Sequence, residues 1–238
     1  MSSPFVIQPC SPQSASLVER GENVLLGLSP WNGYYKPRTI EALIGWASTH
    51  FKTVDVFLPG YEAALTLTAA GLPALNAVHR TRRAVGQLRA PARRALENAG
   101  VADPLRHLHT WTQLANRPAY AAGRARAEHA YRTDPAVRRA CRATAHGAVR
   151  HASGIEPTEE QIDLAVSYAI AELPLIVDGP AVFGTDTSVF VYHRPMDLIE
   201  PLITGEAASL HPAPGQGYAI VTPVVEHGAG QYQEGADS

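Results

Sequence analysis

Lysine is almost missing from this chain: two lysines stand against eighteen arginines in 238 residues. Cysteine is equally scarce, with only Cys10 and Cys141. Neither lies in a metal-type spacing, which reads against a disulfide framework and favours a reduced, cytoplasmic setting. No window approaches the roughly 18 apolar residues of a spanning helix, so no membrane partner is expected. The ten histidines are scattered. His107 and His109 form half of a metal site at most, with no cysteine or acid at useful spacing, and no metal or other cofactor is expected. The first sixteen residues lack the basic and apolar regions of a secretory signal. Residues 1–15 and 227–238 read as flexible tails around one domain, 16–226. With 45% apolar and 18% charged residues, a sizeable core is expected and global disorder is not.

The charge that is present is unevenly placed. Between Ala77 and Arg150 there are fifteen arginines and four acids, a net of +11. The rest of the chain nets −13, so the overall −2 conceals the contrast. Such asymmetry suggests a polyanion for the basic part. An ordinary solvated surface in an Arg-favouring protein is the plainer alternative.

Asn23 to Ser29 is an apolar run bounded by turn residues, as in a strand buried on both faces. Thr39 to Phe51 has helical apolar spacing, with Thr39 as candidate N-cap. Thr53 to Gly60 reads as a second strand. Strand, helix and strand in about forty residues make a βαβ unit, so a parallel sheet is expected. Asn76 to Gly100 reads as a helix weakened by Gly86 and Pro91, with Arg82, Arg83, Arg89, Arg93 and Arg94 along it. A row of guanidinium groups suits a nucleic-acid backbone. A short strand is expected within Leu105–Leu114, then Arg-rich helices, one opened by Asp134 and Pro135. A further helix is capped by Thr158 and expected to end at Pro174. Strands at Ser188–His193 and Gly217–Val225 close the chain.

Three constellations carry possible chemistry, each with a bland alternative. Ser29 sits where a strand leaves the sheet, the side on which open parallel sheets bind ligands. It is a candidate nucleophile or a turn-starter. Its context, Gly27-Leu28-Ser29-Pro30-Trp31, lacks the second glycine of a hydrolase elbow, and no His–acid pair is evident beside it. Tyr168 and Glu172, four apart, share a helical face that suits an ammonium ion or simply packs. Tyr192 and His193 end a strand, as proton-transfer groups or as structure.

Taken together, "GLSPWNGYY", "SYAIAELPLIVDGPAVF" and "TSVFVYH", with the Arg-rich helix before "ALENAG" and the closing "GQGYAIV", resemble the cyclodipeptide synthases. Asn32, Tyr192 and His193 match that family's Asn-Tyr-His subtype. The resemblance implies a single Rossmann-like α/β domain, a central parallel sheet flanked by helices, similar to class I aminoacyl-tRNA synthetase catalytic domains. It implies a monomer that joins amino acids from two aminoacyl-tRNAs into a 2,5-diketopiperazine by ping-pong acyl transfer through a seryl ester. Ser29 would be the nucleophile, Tyr168 and Glu172 the ammonium anchor, Tyr192 a proton relay, and Asn32 and His193 would order the loop or polarise the oxyanion. Leu25, Gly27, Phe57 and Leu175 would line the first side-chain pocket, with Phe190 near the boundary of the second, and the five arginines would hold tRNA. Pro30-Trp31, Gly86 and Pro91 depart from the family's pattern. A non-catalytic RNA-binding module and an unrelated serine acyltransferase or hydrolase are the alternative readings.

Overall fold

The structure, a computed structural model, describes residues 3–224; the expected C-terminal tail, 227–238, lies outside the described residues. The chain runs β1 (Phe5–Pro9), α1 (Pro12–Arg20), β2 (Asn23–Gly27), α2 (Pro37–His50), β3 (Thr53–Phe57), α3 (Ala63–Ala69) and α4 (Ala74–Asn98). It continues with β4 (Leu108–His109), α5 (Trp111–Leu114), α6 (Pro118–Thr133), α7 (Pro135–Ser153) and α8 (Glu159–Phe183). It ends with β5 (Ser188–Tyr192), α9 (Glu200–Ile203) and β6 (Gln216–Pro223).

The strands form one sheet in the order β1-β6-β5-β2-β3-β4. All pairings are parallel except β1 with β6. Alternation along the strands separates two cores. Val24, Leu26, Val54, Val56, Val189 and Val191 face Ile40, Ile44, Leu88 and Leu96 from α2 and α4. Leu25, Phe57 and Phe190 face the other way, onto α6, α7 and α8. β2 is buried along its whole length, as its unbroken apolar run requires.

The expected flexible tail over residues 1–15 is corrected. Phe5–Pro9 pairs with Ala219–Pro223 as an antiparallel edge strand, and α1 docks beside it, with Ser14 Oγ accepting from Tyr218 N at 3.0 Å. Phe5 and Leu17 are each 5% exposed, so core burial anchors the segment.

The helix expected to stop at Pro174 is also corrected: α8 continues to Phe183 with a kink at Asp178, where φ is −148°. Proline removes a donor, so carbonyls one turn back need other partners. Pro180 leaves the Ile176 carbonyl free, and Tyr218 Oη donates to it at 2.6 Å. Near Pro174, the Ala171 carbonyl accepts from both Trp111 Nε1 and Tyr120 Oη, at 3.0 Å each. The first bond replaces what Pro180 removes, and the other two pin the helix one residue beyond the Ile170 carbonyl that Pro174 deprives of its donor. α8 is long and apolar enough to cross a membrane by composition, with a mean hydropathy of 1.4 over 18 residues, contrary to the sequence expectation; 72% of that window is buried within the fold. It is the central core helix. In α4, Gly86 and Pro91 do not interrupt the helix. α2 begins at Pro37 rather than at a Thr39 cap.

An acidic partner for the His107/His109 pair, which local spacing does not reveal, comes from β3. Asp55 Oδ1 accepts from His107 at 3.1 Å and His109 at 2.7 Å, and Oδ2 accepts from Asn23 at 2.8 Å. Burial would raise this carboxyl, but those hydrogen bonds outweigh it and hold the group well below the usual range. His107 is raised, first by its bond to Asp55. A lowered acid stabilises the fold above its unfolded pKa of about 4, and a raised histidine stabilises it below about 6.5. The Asp55–His107 pair therefore contributes most between those limits and fades as pH rises through the folded histidine pKa. Asp55→Asn should cost on the order of 3 kcal/mol near pH 5.5, and less at pH 8, in denaturant titrations at both values.

Candidate active site

From β2 the chain steps outward through β3 to β4, then returns to the other side of β2 with β5 and β6. The carboxyl ends of β2 and β5 thus flank a switch point, where such sheets open a crevice. Ser29 leaves β2 and Tyr192 and His193 end β5 at that place. Ser29 Oγ and Tyr192 Oη share a 2.7 Å hydrogen bond. Burial raises the Tyr192 phenol, against the pull of Ser29, so it keeps its proton at neutral pH.

The loop after Ser29 is ordered by Asn32. Its Nδ2 donates to His193 Nε2 at 2.8 Å, and its Oδ1 accepts from Tyr34 N at 3.0 Å. Accepting at Nε2 places any proton of neutral His193 on Nδ1. Burial, and then Arg194, lower His193 to about 4, so the ring is neutral at physiological pH. Tyr34 stacks on it at 4.5 Å and 16°, and Tyr35 meets it edge-on at 5.3 Å. Trp31 adopts φ 61°, a left-handed conformation unusual for a bulky residue. The Pro30-Trp31 departure thus coincides with a strained turn beside the serine.

Tyr168 and Glu172 lie on one face of α8, as the i,i+4 spacing requires. Glu172 is 8% exposed. Burial pushes its carboxyl up to about 7, while the neighbouring Tyr168 phenol acts to lower it. Its charge contributes to raising Tyr192 as well as Tyr168, which links the α8 pair electrostatically to the serine's phenol partner. Cys141 is pushed up to about 12 by burial and then by Glu172, so its thiol is no competing nucleophile.

Leu25, Phe57, Leu175 and Phe190 are at most 2% exposed and share one core cluster. Gly27 is what lets Phe190 close in: a Cβ there would stand 3.2 Å from Cζ of that ring. Two residues missed in the sequence complete this wall. Trp111 packs edge-on to Phe57 at 4.4 Å and to Tyr168 at 5.0 Å, and Tyr120 joins it at the Ala171 carbonyl. The strand expected within Leu105–Leu114 is β4, and the Thr110–Gln113 capping box was the available sequence signal that a short helix follows it at Trp111. Among the described residues no group of three His, Cys, Asp or Glu side chains is arranged to hold a metal.

The five arginines singled out on α4 are all exposed. Arg94 pairs with Glu41 at 3.1 Å and Arg93 with Glu97 at 3.6 Å. Arg82, Arg83 and Arg89 make no ion pair among the described residues. The arginines of α6 and α7 are more widely engaged: Arg126 by Asp178, Arg139 by Glu206, Arg142 by Glu159 and Asp163, Arg150 by Glu156. The free cationic surface is therefore narrower than the local excess suggests, and it centres on α4.

Fold and site together define an α/β protein of Rossmann type whose reactive groups meet at the switch point. More particularly, the chain belongs to the cyclodipeptide synthase family, whose profile matches residues 5–223. It is 35% identical, over 93% of its length and 91% of the relative's, to the cyclo(L-leucyl-L-leucyl) synthase of Bacillus subtilis strain 168. A crystal structure of a cyclodipeptide synthase from Bacillus thermoamylovorans superposes with a TM-score of 0.87 at 29% identity, covering 93% of this chain and 97% of that one. A Mycobacterium tuberculosis protein, 24% identical with a TM-score of 0.79 over 94% and 95% of the two chains, shares the fold; its structure is described as demonstrating that cyclodipeptide synthetases are related to type I tRNA synthetases.

A raised acid stabilises the fold below its unfolded pKa and loses that contribution as pH rises through the folded value. For Glu172 the loss falls between about 4.5 and about 7. Glu172→Gln should accordingly be more stable than the parent at pH 8, by up to roughly 3 kcal/mol, with the difference shrinking at pH 5. Melting temperatures at the two pH values check this.

Proposed function

We propose that the protein is an aminoacyl-tRNA-dependent cyclodipeptide synthase that forms a 2,5-diketopiperazine from two aminoacyl-tRNAs. The observation that carries the reading is the 2.7 Å bond between Ser29 and Tyr192 at the switch point, with the buried Glu172 carboxylate electrostatically coupled to the same phenol. The α-ammonium of the first aminoacyl group sits against Tyr168 and Glu172. Ser29 Oγ attacks the ester carbonyl, and the tRNA ribose oxygen leaves with a proton. The product is an aminoacyl ester on Ser29. Covalent storage holds the first residue while its tRNA departs.

The stored amino group, its proton passed to a base, then attacks the ester carbonyl of the second aminoacyl-tRNA. A second ribose hydroxyl leaves, and a dipeptidyl ester remains on Ser29. Glu172, with a carboxyl near 7, is matched to accept the ammonium proton at neutral pH. Finally the dipeptide's free amine attacks its own seryl ester. The ring closes and Ser29 recovers its proton, with Tyr192 placed to relay it. Closure is intramolecular, and such orientation supplies roughly 7–11 kcal/mol in favourable cases. Each ester-to-amide step runs downhill, so activation of the amino acid is complete before it arrives. Asn32 and neutral His193 hold the loop and leave the imidazole able to donate from Nδ1.

The exposed α4 arginines favour a tRNA acceptor stem as the polyanion. They are also what a non-catalytic RNA-binding module would need, and the tests separate the two readings. Expression in bacteria followed by mass spectrometry of the medium should reveal a cyclic dipeptide. Ser29→Ala should abolish both that product and any aminoacyl-enzyme adduct; copurifying tRNA without product from the parent would favour the binding module. Arg82, Arg83 and Arg89 changed together to Glu should raise the KM for aminoacyl-tRNA at least tenfold at moderate salt, with the parent itself weakening steeply as salt rises. An unchanged KM would remove α4 as the tRNA-binding surface.

A further inference from the structure

One carboxylate beside the site has an oxygen with nothing to bind. Glu62 lies between β3 and α3, at the same carboxyl end of the sheet as Ser29. Its Oε2 is buried and has no hydrogen-bond partner among the described residues. Of the unpartnered buried side-chain atoms there, it alone belongs to a carboxylate. Such an oxygen, stripped of both water and donors, is more unfavourable than an orphaned hydroxyl. The loop is shaped to hold it: a Cβ at Gly60 would stand 2.8 Å from Glu62 Oε2 and 3.5 Å from Trp111 Cβ.

The donors around it are committed elsewhere. Trp111 Nε1 and Tyr120 Oη both donate to the Ala171 carbonyl. Arg124 Nε is held by Glu128 at 2.8 Å. The charge of Glu62 is nevertheless felt at Tyr120 and Tyr168, behind the burial that dominates both phenols. Trp111, which shares the Gly60 corner with the carboxylate, packs in turn on Phe57 and Tyr168, so Glu62 stands behind the wall proposed for the aminoacyl side chain, where Leu25, Phe57, Leu175 and Phe190 offer no side-chain acceptor. An apolar pocket with one placed polar group discriminates through that group.

We propose that Glu62 is a specificity-determining residue whose free oxygen accepts a hydrogen bond from a donor in the side chain of the aminoacyl group. This rests on the synthase reading. The test uses the full chain with total aminoacylated tRNA carrying all twenty amino acids, and reads the acyl adducts on Ser29 by intact-protein mass spectrometry. Glu62→Ala, Glu62→Gln and Gly60→Ala are compared with the parent, the last displacing the carboxylate while leaving it in the chain. Adduct formation with amino acids bearing side-chain O–H or N–H groups should fall at least tenfold in Glu62→Ala and Gly60→Ala, with melting temperatures no lower than the parent's. A loss confined to amino acids bearing side-chain O–H or N–H groups, partly restored in Glu62→Gln, assigns the side chain as donor. An equal loss for all amino acids, with no rescue by Gln, overturns the proposal. An adduct profile unchanged within twofold, or a loss that only tracks falling thermal stability, overturns the proposal. Absence of both adduct and cyclic dipeptide with the parent overturns the synthase reading, and this inference with it.

Discussion

A helix that runs through the middle of a protein must find partners for the backbone carbonyls its breaks expose, and α8 depends on them. It holds two prolines, a kink and a carboxylate with almost no contact with water. The carbonyls near those breaks are answered from three directions: β6 through Tyr218, α5 through Trp111, α6 through Tyr120. Those bonds fix the axial position of α8, and therefore where Tyr168 and Glu172 point. Without them the helix would fray at Pro174, two residues beyond the carboxylate. The ammonium anchor is thus a product of core packing, and its precision comes from rigid elements rather than from a loop.

The opposite half of the site is built differently. Ser29, Asn32 and the tyrosines behind them lie on a short loop, with Trp31 packed on α3 and α4 and Tyr35 buried in the core. Order comes from the 2.8 Å Asn32–His193 bond and from an aromatic stack. One wall is held by buried backbone carbonyls and the other by side-chain contacts across the switch point. Such a division suits a site in which one substrate stays covalently attached while others enter and leave.

The parts legible in the sequence were those with strong local signals. The unbroken apolar run of β2 and the helix after it gave the parallel sheet, and with it the end of the strand at which Ser29 sits. The Thr158 box gave the start of α8. The parts that were not legible depend on distant partners. β1 is five residues long, and Val6 is 54% exposed, so its pattern is faint until β6 lies beside it. Pro174 signals a helix end locally, and the tryptophan and tyrosine that hold the neighbouring Ala171 carbonyl come from distant segments. The Asp55–His109 contact joins residues 54 apart in the chain. The basic excess was correctly located as a count, but acids from beyond residue 150 neutralise much of it, which no local window reveals.

The pairing of Phe5 with Pro223 ties one end of the described chain to the other. During synthesis, the N-terminal strand emerges early and waits for a partner made more than two hundred residues later. Until then β5 and the nascent β1 have open edges, and Phe5 and Leu17 have no finished core to enter. Long-range closure of this kind is slow and leaves apolar surface exposed on the ribosome. Assembly of this sheet is therefore completed only once β6 has been made, and until then the edges of β1 and β5 stay open.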